Sequence, residues 1–379
     1  MAAPPNPRST RNPLPSLIDR LLALLAPYLR FADHLALRLV CRGWRRSCRR
    51  LGRAPPPFPW LMLPPPSATR GPAPAPGAAQ RRAFYDIAGG RTYEYAVPAF
   101  HRCVASRGGW IVLAAVDPPR RLVLVNPITG AQGVVAWPFG DKGSEGFHAV
   151  LTSSPADPAC FLVVATDRLV AYCRPVRGGG WVTLRAPGFR YDTAGSDFVA
   201  VGATVYLVDE RRKLWRADLA AAEPKVERRD TAFALPQGEM WRHFLLESLG
   251  HVHLVVSDEH HKRLALFRLD WHARLWVRAA AAVLGDRVLL LGRGCSAAVP
   301  TLAAARRAPG TVLVARQPWS FMHAGSIARG GGQLWFWTES RLDAGPDDHM
   351  VLKKTVPHRP GVFTAGDSFW FFPGIDPSE

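Results

Sequence analysis

The stretch Phe198-Val199-Ala200-Val201, Val205-Tyr206-Leu207-Val208, Asp209-Glu210 and Trp215 carries the pattern that decides the fold. Two apolar runs of four are followed by a polar turn and then by a tryptophan that leads a third run. This reads as a β-hairpin with one further strand. The same arrangement recurs loosely at Phe161–Trp181 and His251–Trp276. Similar runs lie at Trp110–Val116, Leu122–Val125, Leu264–Leu269, Val288–Leu291, Thr311–Ala315, Gln333–Trp337 and Ser368–Phe372. Turn signals such as Gly108-Gly109, Asn126-Pro127 and Gly178-Gly179-Gly180 separate them. Short strands this closely spaced predict an all-β domain: a sandwich, a barrel or a propeller. Length chooses among these. Residues 84–379 are too many for one sandwich, and at about 40–45 residues per blade they make six or seven propeller blades. Within this span Asn126-Pro127-Ile128-Thr129-Gly130 predicts a tight reversal, because Asn bonds its own backbone two residues on, Pro fixes φ and Gly admits a left-handed conformation. The only helix-like stretches are 217–222 and 301–307, expected as excursions between strands.

The first fifty residues follow another rule. Residues 1–13 are polar and proline-containing and read as a disordered lead. From 14 to 50, apolar residues at 17, 18, 21, 22, 25 and 29, and then at 35, 37, 39, 40 and 44, keep helical spacing and predict a small helical module. The segment 51–83 holds Pro55-Pro56-Pro57, Pro64-Pro65-Pro66, Pro72, Pro74 and Pro76. It predicts a stiff linker, since proline neither continues a helix nor donates to a central strand.

The 379 residues carry 48 Lys+Arg against 30 Asp+Glu, a net charge of +18. Two thirds of that excess lies in residues 1–83, with fourteen arginines, no lysine and two acids, Asp19 and Asp33. The chain uses arginine far more than lysine throughout, so coding bias explains the charge and nucleic-acid binding is not expected. The six cysteines form no CxxC pair, and the chain starts without a secretory leader pattern, which predicts a reducing compartment. The most apolar run, Leu17 to Leu29, is broken by Asp19, Arg20 and Pro27, so no membrane span is expected. No Gly-x-Ser-x-Gly elbow, Walker loop or His-Glu-x-x-His motif occurs, and Gly292-Arg293-Gly294 lacks the third glycine of a dinucleotide loop. His251 and His253 alternate along one strand near Asp258-Glu259-His260-His261, a set that reads as a solvated hairpin tip before it reads as a metal site. No cofactor, catalytic residue or metal ligand is predicted.

Leu14-Pro15, Leu17-Ile18, Leu22 and Asp33-His34-Leu35-Ala36-Leu37-Arg38-Leu39-Val40-Cys41-Arg42-Gly43-Trp44-Arg45 resemble an F-box, which opens on Leu-Pro and closes on Arg-x-Val-Cys-x-x-Trp-Arg. Two departures stand out: the acid usual after Leu-Pro is missing, and the first half is about two residues longer than the F-box pattern. Phe58-Pro59-Trp60-Leu61-Met62-Leu63-Pro64, Phe84-Tyr85, Gly109-Trp110-Ile111-Val112, Leu124-Val125-Asn126-Pro127-Ile128-Thr129-Gly130 and Phe369-Trp370-Phe371-Phe372-Pro373 resemble plant F-box proteins with a DUF295 domain, a KIB-type β-propeller. The resemblance implies a non-enzymatic substrate-recognition subunit of an SCF-type ubiquitin ligase, in the cytoplasm or nucleus. Its F-box would dock a Skp1-type adaptor, and through it a cullin, using Leu14, Pro15, Ile18, Leu21, Leu22, Leu25, Leu35, Val40 and Trp44. The propeller would recruit an unidentified target protein. The alternatives are a stand-alone propeller interaction protein and an organelle-targeted one, the latter suggested by the arginine-rich, acid-poor first eighty residues.

Overall fold

The computed structural model describes residues 17–50, 58–63, 79–99, 101–115, 121–139, 147–190 except 168, 176, 177 and 179, 196–209, 211–229, 242–257, 264–301 except 293, 310–315, 337–341 and 369–373. The chain divides into two compact units, residues 1–57 and 58–379.

The second unit is a six-bladed β-propeller, each blade a four-stranded sheet. Blade I combines β1 (Trp60–Met62), β2 (Ala79–Asp86) and β3 (Arg91–Pro98) with the last strand, β24 (Phe369–Phe371). Blade II is β4 (His101–Arg107), β5 (Trp110–Ala115), β6 (Arg121–Val125) and β7 (Gln132–Ala136). Blade III is β8 (His148–Leu151), β9 (Leu162–Ala165), β10 (Val170–Cys173) and β11 (Val182–Leu184). Blade IV is β12 (Asp197–Val201), β13 (Thr204–Val208), β14 (Leu214–Asp218) and β15 (Val226–Arg229). Blade V is β16 (Arg242–Ser248), β17 (His251–Ser257), β18 (Leu264–Asp270) and β19 (Leu275–Ala279). Blade VI is β20 (Arg287–Leu291), β21 (Ala297–Pro300), β22 (Thr311–Ala315) and β23 (Trp337–Arg341).

The apolar runs are continuous because both faces of a blade are covered. On β9, Leu162 and Val164 join the core between blades II and III, whereas Val163 and Ala165 join the core between blades III and IV. On β17, Val252, Leu254 and Val256 face blade IV, and Val255 packs with Leu289 and Leu291 of blade VI. Two of the three tryptophans that led the repeat are core residues here, Trp215 between blades III and IV and Trp276 between IV and V, whereas Trp181 is half-buried. Asp209 explains the turn before Trp215. Its carboxylate accepts the N–H groups of Arg211 (2.9 Å) and Lys213 (2.7 Å) and the Trp215 indole N–H (2.8 Å), so one buried acid fixes the turn and the anchor together. The Asn126 reversal forms as expected: its side-chain oxygen accepts from Ile128 N (3.0 Å) and Thr129 N (3.2 Å), and Gly130 sits at φ 79°.

Three expectations are corrected. The linker over 51–83 and a propeller beginning at 84 do not hold, because Trp60–Met62 and Ala79–Asp86 are already blade strands, Trp60 pairing with Asp86 on one side and Phe371 on the other. Residues 217–222 are not helical. They end β14 and form a turn, since Asp218 accepts the Ala220 N–H instead of continuing a helix. The third correction is that blade VI is not a simple meander. β21 lies innermost although β20 precedes it, and β20 pairs with β22 in parallel, Leu289 opposite Val312. Residues 1–13, 301–307 apart from 301, and 333–336 lie outside the described residues.

The ring is closed by β24. Trp370 is fully buried and its indole N–H donates to the Leu291 carbonyl of blade VI at 2.8 Å, while Phe372 exchanges bonds with Ser106 and Gly109 of blade II. The inner strands follow one another round the axis: β24 packs on β4, β4 on β8, β8 on β12, β12 on β16 and β16 on β21.

The reversal joining β20 to β21, at 292–296, closes one end of that axis. A side chain at Gly294 would meet the Val104 carbonyl of blade II at 3.3 Å and the Ala149 carbonyl of blade III at 3.4 Å. The Gly294 N–H donates to Asp197 of blade IV at 3.3 Å. A blade VI residue that touches blades II, III and IV must lie on the axis. At φ +64° only glycine fits comfortably.

His253, on β17, is buried. Its Nδ1 donates to the His251 carbonyl at 3.1 Å, and its Nε2 has no partner among the described residues. Burial holds its pKa below the usual 6.5, outweighing the raising effect of the hydrogen bond to the His251 carbonyl. The unfolded chain therefore takes up a proton at a pH where the folded one does not, so stability is full above about pH 6.5 and falls as the pH drops through that value. Melting curves from pH 8 to 5 should show a steeper acid-side loss for the wild type than for His253→Gln. Parallel curves would refute this assignment.

Candidate functional site

The first unit is three short helices: α1 (Leu17–Leu25), extended by a 3-10 turn (Ala26–Tyr28), α2 (Phe31–Val40) and α3 (Arg42–Arg50). Pro27 ends α1, and Asp33 starts α2 by accepting the Arg30 backbone N–H at 3.1 Å, placing a negative charge in the first turn. Cys41 is extended and breaks the chain between α2 and α3. Both α1 and α2 pack on α3. Leu22, Phe31, His34, Ser47 and Cys48 are buried, and Arg50 reaches Asp19 at 3.2 Å, tying α3 to α1. Burial, with Arg38 beside it, lowers the His34 pKa, so this ring is also neutral at pH 7.

What the unit leaves outside is the informative part. Leu17 is 82% exposed, Leu24 73%, Tyr28 83% and Leu39 77%, and Leu21, Leu25 and Val40 are exposed too. Leu17, Leu21, Leu24 and Tyr28 recur at spacings of four, three and four, so they form one stripe along α1 and its extension. Leu39 and Val40 add apolar surface at the end of α2. Single exposed leucines are ordinary, but seven large apolar side chains on thirty-four residues make a candidate interaction surface.

Of the residues singled out from the sequence, Leu21, Leu25 and Val40 lie on this surface. Ile18, Leu35 and Trp44 are half-buried. Leu22 is corrected: at 0% exposure it belongs to the interior of the chain and offers nothing to a partner. Leu14 and Pro15 lie outside the described residues. Leu17, Leu24, Tyr28 and Leu39 were missed, although the first three stand with Leu21 at spacings of four, three and four in the sequence.

The propeller presents no catalytic constellation among its described residues. No group of three His, Cys, Asp or Glu residues there could hold a metal. His251 and His253 lie at right angles with ring centroids 6.4 Å apart, and 258–261 lie outside the described residues. Burial pushes the Cys173 thiol up to about 12, which makes it unreactive at neutral pH. No helix among the described residues is long and apolar enough to cross a membrane.

A closed ring of six four-stranded blades defines a β-propeller, a fold that generally serves as an interaction module. The family described as the KIB1-4 beta-propeller matches residues 84–314, and the chain belongs to it. No curated protein matches the chain. Among solved structures, it is similar to Hsv2 of Kluyveromyces lactis (9% identity, TM-score 0.33, covering 56% of this chain and 74% of that one). Apo AztD of Citrobacter koseri (14%, 0.34, 59% and 57%) and YjhT (12%, 0.35, 70% and 89%) are also similar.

Proposed function

We propose that the chain is a non-catalytic receptor subunit of an SCF-type ubiquitin ligase. The helical unit docks a Skp1-type adaptor, the adaptor brings the cullin, and the propeller recruits the target protein. The observation that carries this reading is the exposed stripe of Leu17, Leu21, Leu24 and Tyr28 with Leu39 and Val40, in a unit whose interior is already filled by other residues. A surface of this kind is covered by the groove of a helical partner. The F-box-like end, from Asp33 to Arg45, supports the adaptor as that partner. Ubiquitin transfer belongs to other subunits. The cytoplasm or nucleus is the compartment such a complex requires.

The test is capture of the full-length chain by an immobilised Skp1-type adaptor. Leu24→Asp combined with Val40→Asp should lower capture by at least about tenfold, since charges placed at the centre of an apolar contact each cost about 1–2 kcal/mol or more. Far-ultraviolet circular dichroism should stay unchanged, because both residues face outward. Trp44→Ala should weaken capture less. Wild-type binding that survives the double substitution would remove this surface from the reading, and no wild-type binding at all would leave a free-standing propeller interaction protein.

A further inference from the structure

We infer that the end of the propeller axis opposite the 292–296 reversal binds a carboxylate of an acidic protein segment, with Arg107 as its ligand. This rests on the reading of the propeller as the target-recruiting part, and it names where and by what chemistry a target would be held.

Arg107 is the last residue of β4, the inner strand of blade II. Its Nη1 donates to the Ala200 carbonyl on β12, the inner strand of blade IV, at 3.4 Å. Blades II and IV are not neighbours, so the side chain reaches past blade III into the axial region. At that length the bond is weak. It is the one hydrogen bond the Arg107 side chain makes among the described residues, and no described carboxylate forms an ion pair with it. A guanidinium carries five donors in a fixed fork, and here the fork is largely unmet.

Arg107 is half-buried; burial works against its charge, and the negative charge of Glu247 of blade V partly offsets that. Glu247 stays out of contact, its Oε1 taken by the Gly250 N–H at 2.8 Å. A partly desolvated cation with no counter-charge in contact among the described residues is costly and is rarely retained unless something pairs with it. A carboxylate fits the planar fork with two parallel bonds. The negative field of Glu247 favours a singly charged carboxylate over a doubly charged phosphate. The approach is one-sided. The reversal at 292–296 fills the axis where β8, β12 and β21 begin, whereas Arg107 and Ala200 lie where β4 and β12 end.

The experiment uses the full-length chain at about 0.15 M salt, where surface attraction is screened beyond about 8 Å. Labelled hexaglutamate and hexaglutamine, both amidated at the C-terminus, are titrated by fluorescence anisotropy, with inorganic phosphate as competitor. Hexaglutamate should bind and hexaglutamine should not. Arg107→Gln should weaken hexaglutamate at least about tenfold, while Arg278→Gln, an exposed arginine on β19, should change it less than about twofold. If Arg107→Gln melts early, Arg107→Lys keeps the charge, loses the fork and should still weaken binding. Equal losses in the Arg107 and Arg278 variants, or no hexaglutamate binding, would overturn the inference. Displacement by millimolar phosphate would reassign the site to a phosphate. Adaptor capture measured on the same preparations separates failure of this site from failure of the receptor reading.

Discussion

Trp370→Ala is expected to destabilise the propeller by about 3–5 kcal/mol, the range for emptying a buried tryptophan site. The residue is fully buried in a strand of three residues, and three things depend on it. Its ring packs against Gly292, so close that a Cβ there would lie 3.1 Å from it. Its indole N–H satisfies the Leu291 carbonyl at 2.8 Å, which would otherwise be stranded inside. It also stands opposite Leu61 in the β24–β1 pair that completes blade I. Trp370→Phe keeps most of the volume and loses the bond, so it should cost about 1–2 kcal/mol. Urea titrations with shared slopes read both values, and a loss below about 1 kcal/mol for the alanine variant would show that the ring is not closed through this residue.

Asp197→Ala is expected to cost about 2–5 kcal/mol by a different route. The carboxylate is buried and accepts the Leu245 N–H of blade V at 2.8 Å and the Gly294 N–H of blade VI at 3.3 Å. Removing it strands two backbone donors in the interior, at about 1–3 kcal/mol each. Asp197→Asn keeps one accepting oxygen and turns an N–H₂ toward the other donor, so it should recover about half of the loss. Because the acid joins blades IV, V and VI, the alanine variant should also admit faster amide exchange at 292–296 than elsewhere in blade VI. Uniform exchange across the blade would show that the axial reversal is held without Asp197.

The legibility of the chain follows its physics. Strands buried on both faces, such as Leu162–Ala165 and Thr311–Ala315, stand out as unbroken apolar runs, and their number set the propeller within one blade of the observed six. The outer strands did not stand out. Val226–Arg229 exposes two of its charged residues, and Arg91–Pro98 turns Thr92, Glu94 and Ala96 to solvent. The order of strands in blade VI left no trace in the sequence, because a parallel pair and a hairpin demand the same residues of β20. In the helical unit, periodicity placed leucines on common stripes but not on which side the interior lies. Leu22 and Leu24 are equally plausible by spacing, and only packing separates them, the first at 0% and the second at 73% exposure. The half-satisfied Arg107 is legible only in three dimensions, because its neighbour Ala200 is 93 residues away.

The pairing of β24 with β1 also sets a timetable. Trp60–Met62 leaves the ribosome roughly 300 residues before the strand that covers its other edge. At about 5–20 residues per second the nascent propeller waits roughly 15–60 s with that edge bare. Through this interval the backbone of Trp60, Leu61 and Met62 offers unpaired groups to any passing strand. Synthesis of this chain therefore has a long vulnerable stage that ends abruptly with Phe369–Phe371, and chaperones that shield exposed strand edges are most needed in that window.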